Sequence, residues 1–306
     1  MQFSLTAITV LMMLAYAVPG YILVKVKAIK PHSISAFAAV LLYVNQPCLS
    51  LYSFQKVIYS PKLALNMLAF FGLSALIQIF MLGVMYLILR KKYDNPKYRV
   101  MTVATTFGNV GFLGVPLLEA LIPQYPEAVT FSAVFIVSMN LISWTLGSAM
   151  LTGDKKYISV KKLFLNPPII TLCVALPLFF TRTVLPDPLL NAVTLLGKMT
   201  TPMCMLILGM RFATVSPKEV FTDGSIYITS AIKLVVFPFL GYLLTHFLPI
   251  DYSMKATMFI LCCCPTASVV LNLSEIYNQG QKNAANIVLA STIFSMLTIP
   301  LLLMIL

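Results

Sequence analysis

"TFGNVGFLGVPLLEAL", residues 106–121, is apolar enough to lie in a bilayer, yet it holds three glycines, an asparagine and a proline. The chain has 13 glycines in 306 residues, and Gly108, Gly111 and Gly114 fall within seven positions, beside Asn109 and Pro116. Glycine and proline at this density interrupt a helix. An interruption inside hydrocarbon bares backbone N–H and C=O groups, at a cost of several kcal/mol each unless they line a cavity or bind something. A helix broken at mid-membrane, for a purpose, is expected here.

The rest of the chain supplies the membrane context. Hydrophobic residues make up 59% and charged residues 10%, and the mean hydropathy is +0.93, well beyond the roughly 45–50% apolar content of soluble domains. Runs long enough for a bilayer core lie at 4–24, 33–55, 63–89, 99–121, 127–151, 167–185, 188–211, 224–247, 253–277 and 283–306. These ten spans predict an all-α integral membrane protein in a lipid bilayer. The first has no basic residue before it and no small-residue cleavage site after it, so it reads as a retained helix rather than a signal peptide.

The net charge of +12 does not point to nucleic acid, because the basic residues are sided. With the loops assigned alternately, 15 Lys and Arg fall on one face, Lys25, Arg90, Lys97 and Arg211 among them. Four, Lys56, Lys62, Arg182 and Lys255, fall on the other, and Lys198 and Lys233 lie inside spans. The positive-inside rule makes the first face cytoplasmic and puts both termini outside the cell membrane.

At an offset of 155 to 157 residues, Pro31 meets Pro186, Pro47 meets Pro202, Asn109 meets Pro265 and Glu119 meets Glu275. Five spans per half, an odd number, make the two halves inverted relative to each other, as in secondary transporters. The expected domains are 1–152 and 163–306, joined by a cytoplasmic linker at 153–162. Span nine carries a second interruption, "CCCPTAS" from Cys262 to Ser268. Glu119 and Glu275 each lie ten residues beyond Asn109 and Pro265, about 15 Å along a helix, so both breaks fall near the midplane. In this reading the glycines let the chain leave helical geometry, and Pro265 begins the second half-helix, where its missing N–H costs nothing. The two half-helix N-termini then offer positive dipole ends and free N–H groups to an anion. The alternative is that both breaks are packing kinks.

None of the nine acids falls at mid-depth, which argues against a carboxylate proton relay or a cation cage built from acids. Of the two deep lysines, Lys198 is the stronger candidate to attract a substrate carboxylate, and Lys233 is the better candidate for a structural role. Asn45, Gln46 and Pro47, and Thr201 and Pro202, put polar groups beside prolines at matching positions; they face substrate or re-satisfy a kinked backbone. Asn140 and Asn272 read as interhelical glue. The six cysteines all lie in apolar runs and read as packing residues. No metal or cofactor motif is present.

With "NQP" at 45–47, "GNVGFLGVPLLEAL" at 108–121 and "PTASVVLNLSEIYN" at 265–278, the chain resembles the auxin efflux carrier family, the PIN-like transporters, over nearly its whole length. The resemblance implies a fold related to the bile-acid/sodium symporters, with crossing broken helices 4 and 9. It also implies a scaffold of spans 1, 2, 6 and 7, a transport domain of spans 3–5 and 8–10, elevator-type alternating access and a homodimer. The implied substrates are organic anions such as indole-3-acetate, malate or malonate. The positions the resemblance carries over are Asn109 and Pro116 at one crossing segment and Pro265 at the other, faced by Asn45 and Pro47; Gly108, Gly111, Thr266 and Ser268 in the two breaks complete the candidate site. Pro265-Thr266 departs from the asparagine–proline pairing expected in plant members, so the amide partner of Asn109 is either missing or replaced by Thr266 or Ser268. Sodium-coupled or proton-coupled transport remains open. An intramembrane enzyme built on Ser230 and Lys233, or a sensor, is the alternative of another class.

Overall fold

The computed structural model describes residues 15–154, 167–214 and 223–306, together with Ile8, Leu11 and Met12. Most of the linker expected at 153–162 lies outside the described residues. In chain order the helices are α1 (Ala17–Lys25), α2 (Pro31–Gln55), α3 (Pro61–Lys92), α4 (Pro96–Ala104), α5 (Val110–Leu121) and α6 (Glu127–Thr152). They continue with α7 (Pro167–Phe180), α8 (Asp187–Thr214), α9 (Gly224–His246), α10 (Tyr252–Cys262), α11 (Ser268–Ile276) and α12 (Gln281–Ile305). Six of these, α2, α3, α6, α8, α9 and α12, are long and apolar enough to cross a membrane. No strand occurs among the described residues. The spans expected at 99–121 and 253–277 are each two helices, separated by Thr105–Asn109 and Cys263–Ala267.

Proline shapes the long helices. In α2, α5 and α9 a five-residue turn of π geometry, Leu41–Asn45, Val110–Gly114 and Ile232–Val236, ends two residues before Pro47, Pro116 and Pro238. A proline removes one N–H and crowds the carbonyl four residues back; a wider turn just before it relieves both. Gly111, Gly114 and Pro116 therefore sit inside α5, and of the three glycines expected to let the chain leave helical geometry only Gly108 lies in the break. What the other two allow is approach. A Cβ on Gly114 would lie 2.8 Å from Leu261 Cδ2 and 3.2 Å from Cys264 Sγ of the other broken pair. Pro265, expected in the first turn of the second half-helix, lies in the extended break, and α11 starts at Ser268.

Helices α1 and α8 pack backbone to backbone. A Cβ on Gly20 would collide with the Leu206 carbonyl, and one on Gly209 with the Ala17 carbonyl. Small residues are what membrane helices use to come this close. Gly197 does the same for α8 against α2, at 3.0 Å from the Leu49 backbone. Helix α7 also packs on α2, whereas α3 packs on α6, and α9 on α10 and α12. Ion pairs among the described residues tie the ends of the bundle: Lys56–Glu119 at 3.7 Å, Lys62–Asp251 at 3.0 Å and Lys97–Asp223 at 2.7 Å. Each joins two helix ends or loops that the alternating span count puts on the same side.

Candidate functional site

The two breaks run antiparallel through the centre of the bundle and pair there as an isolated bridge between Gly108 and Thr266. The Asn109 N–H donates to the Pro265 carbonyl at 2.7 Å, and the Ala267 N–H donates to the Phe107 carbonyl at 2.9 Å. The Thr266 hydroxyl donates to the Ala104 carbonyl at 3.0 Å, and the Thr266 N–H donates to Ser291 Oγ at 3.1 Å. Backbone groups that hydrocarbon would leave orphaned are thus satisfied by the other break. The pairing is symmetric about Gly108 and Thr266, which are 158 residues apart. In this pairing Asn109 and Ala267 play corresponding parts as donors, and Phe107 and Pro265 as acceptors.

Over this crossing lies a cavity of about 390 Å³, within the range of small-molecule sites. One wall comes from α2 (Leu41, Gln46) and α8 (Cys204, Ile207, Arg211); the other comes from the crossing, α6 (Asn140, Trp144) and α11 (Ser268, Asn272). The N-terminal turns of α5 and α11 both border it, through Asn109 to Phe112 and Ala267 to Val269. The first N–H groups of a helix lack intrahelical acceptors and carry its positive dipole end, so this rim suits an anion.

Of the residues expected at the site, Gly108, Asn109, Gly111, Gln46 and Ser268 line the cavity. Asn109 is half-buried. The Gln46 amide nitrogen occupies the space a Cβ on Gly111 would take, which is the use of that glycine. The others do not line the cavity. Asn45 is buried and its amide donates to the Leu196 carbonyl at 3.1 Å, so it ties α2 to α8. Pro265 and Thr266 are consumed by the crossing, and Pro116 is buried within α5. Pro47 and Thr201 are half-buried and Pro202 exposed, outside the cavity lining. Lys198 is exposed at the end of the first segment of α8 and also lies outside that lining. The lysine that reaches the crossing is Lys233: it is fully buried, with Nζ 3.5 Å from the Thr106 carbonyl.

Other cavity residues were not expected there. Asn140 and Asn272 border it rather than serving only as glue, and Arg211, counted above as a loop charge, is half-buried in its wall. Cys204, Ile207, Leu208 and Arg211 all line the cavity, which is the i, i+3, i+4, i+7 face of one helix. That stripe was visible in the sequence, but not what it faces. Toward the opposite side, Gln46, Gly111 and Ile136 also border a second space of only about 10 Å³, walled by Leu49, Ser53, Val115, Val129 and Ala133. Among the described residues no cluster of His, Cys, Asp or Glu is set to hold a metal.

Membrane-length helices and two broken ones crossing beneath a partly polar cavity are the marks of a membrane carrier. The family of membrane transport proteins, the auxin efflux carriers and PIN-like transporters, matches residues 5–303, and the chain belongs to it. No curated protein matches the chain. The family is one of transporters and not of enzymes; Ser230 and Lys233, the pair weighed for catalysis, line neither cavity.

Proposed function

We propose that the protein is a secondary carrier for a small organic anion with a carboxylate head and an apolar body. The observation that carries this is Arg211, the one basic side chain lining the cavity among the described residues, sharing it with the N-terminal turns of α5 and α11. One guanidinium and two helix ends suit a single carboxylate, held by charge-assisted hydrogen bonds. Leu41, Phe112, Met139, Trp144 and Ile207 offer apolar and aromatic surface to the remainder. That balance favours an indole-type or other aromatic acid over malate or malonate, whose second carboxylate would ask for a second cation.

The architecture in this reading is ten crossings in two inverted five-helix repeats, 1–152 and 163–306. Helices α1, α2, α7 and α8 are the scaffold; α3–α6 and α9–α12 move against it, elevator fashion. The pseudo-symmetric crossing and the position of the cavity between the two groups support this division. By the positive-inside rule the Arg211 side is cytoplasmic. The tight space at Gln46 and Gly111, beside the wider cavity, supports reading this as an inward-facing state, loaded from the cytoplasm for efflux across the cell membrane. Both termini lie outside, and the working unit is a homodimer.

The test is thermal stability of the purified protein with indole-3-acetate, benzoate, malate and malonate. A ligand at 100 times its Kd stabilises by about 2.7 kcal/mol. Monocarboxylates with apolar bodies are expected to shift Tm, and counterflow in proteoliposomes should move the same compounds unchanged. No shift with any carboxylate, alongside one from a neutral or cationic solute, overturns the reading.

A further inference from the structure

Lys233 is the one lysine or arginine that is fully buried among the described residues. It is absent from the cavity lining and from the ion pairs. Its neighbours have a common character. Nζ lies 3.5 Å from the Thr106 carbonyl and 3.9 Å from the centre of the Phe237 ring. A Cβ on Gly108 would lie 3.0 Å from the same Nζ and 3.5 Å from the Cys264 carbonyl. Thr106 and Cys264 follow the C-terminal ends of α4 and α10, so the ammonium stands where two negative helix ends meet. Gly108 is the place where a side chain would push it out.

The surrounding carbonyls show why a cation is needed there. The Ala104 oxygen is taken by the Thr266 hydroxyl, the Phe107 oxygen by the Ala267 N–H, and the Pro265 oxygen by the Asn109 N–H. The Thr106 oxygen has Lys233 as its donor. Carbonyl oxygens at helix C-termini together with an aromatic face are the surroundings in which membrane carriers and other proteins hold monovalent cations. Removing the positive charge leaves a buried carbonyl without a donor and two helix ends uncompensated.

We propose that the Lys233 ammonium is a resident cation of the crossing, filling the place a monovalent metal ion would take, so that the carrier needs no sodium or potassium ion there. The π turn Ile232–Val236, set by Pro238, is the local device that delivers it. This stands on the crossing alone and does not depend on which anion is carried. It also separates this chain from a carrier whose crossing takes up sodium in each cycle.

The experiment measures Tm of the full-length protein in detergent, in sodium, potassium or choline chloride at constant ionic strength. Wild type is expected to be indifferent to the cation. Lys233→Ala, which opens an ion-sized space, is expected to lose a few degrees of Tm in choline and to recover most of it saturably in sodium or potassium. Lys233→Met, which fills the space without charge, is expected to lose Tm and not recover it in either salt. Lys233→Gln, shorter and neutral, replaces the alanine variant if that one does not fold. Failure of sodium and potassium to restore the alanine or glutamine variant overturns the proposal, as does a methionine variant as stable as wild type.

Discussion

The Asn109 N–H donates to the Pro265 carbonyl at 2.7 Å, and this bond has a symmetric counterpart from Ala267 to Phe107 at 2.9 Å. Each broken helix is therefore the hydrogen-bond partner of the other. The side-chain member of the same network is the buried Thr266 hydroxyl on the Ala104 carbonyl, at 3.0 Å. Thr266→Val keeps the shape and removes the donor. Leaving a buried carbonyl unmet costs about 1–3 kcal/mol. A lower Tm is expected in denaturation scans, with anion affinity nearly unchanged because Thr266 does not line the cavity.

Much of this was legible in the sequence, for physical reasons that also mark where legibility ends. Gly108 to Pro116 announced a break because glycine and proline act locally, and Pro265 announced its counterpart in the same way. What the local signal did not encode was which glycines serve the break and which serve packing: Gly111 and Gly114 are fixed by Gln46, Leu261 and Cys264, all distant in sequence. The same limit governs the deep lysines. Lys198 and Lys233 both sit mid-span, and only the rotation of their helices about their axes leaves Lys198 exposed and Lys233 at the crossing. Arg211 was counted as a loop charge because it sits near a span end, but α8 runs on to Thr214 and turns that residue into the cavity.

Arg211→Gln tests the cavity's charge. A hydrogen bond to a charged group is worth about 1.5–3 kcal/mol, so anion affinity should fall roughly 10- to 150-fold. Lys198→Met, on the exposed face of the same helix, should leave it unchanged. Binding by calorimetry, or competition in proteoliposomes, distinguishes the two; a larger loss from the Lys198 variant would move the anion site out of this cavity.

Helices α1 and α8 are held by contact, not charge. Gly209→Val drives a branched side chain into the Ala17 carbonyl, and overpacking of this kind costs about 1–3 kcal/mol or more. The expected outcome is a protein with reduced Tm and yield, while Gly72→Val, whose glycine has open space around it, behaves as wild type.

One acid predicts a pH dependence at the membrane surface. The Lys97 ammonium at 2.7 Å and then the Ser225 N–H hold the Asp223 carboxyl below the usual carboxylate range. The folded state thus binds the proton less readily than the unfolded chain. The stabilisation is present above the unfolded value near ~3.9 and is lost as pH falls through the folded one. Asp223→Asn should lower Tm slightly at pH 7, slightly because the carboxylate side chain is 35% exposed and solvent screens the pair. The gap to wild type should close below about pH 4; a gap that persists there would assign the loss to the helix cap on Ser225 and not to the ion pair.

Asn109 decides whether the cavity holds an anion at all. It is half-buried at the first turn of α5, its backbone is engaged with Pro265, and it lines the cavity. Asn109→Ala removes an amide but keeps the helix ends and Arg211, so part of the affinity should survive. Asn109→Asp is nearly isosteric and places a carboxylate where the substrate's own charge would sit. At about 4 Å and an effective dielectric near 20 the two repel by roughly 4 kcal/mol, on the order of a thousandfold in affinity. Protonating the introduced carboxyl removes that repulsion, so the loss should lessen at pH 5 relative to pH 8 for a substrate that stays ionised at both, while the alanine variant shows no such recovery. Binding measured on both variants at both pH values, with folding checked by Tm, tests this directly. Equal losses from alanine and aspartate at pH 5 and pH 8 would mean that no anion faces Asn109, and the carrier's cargo would then have to be sought among neutral or cationic solutes.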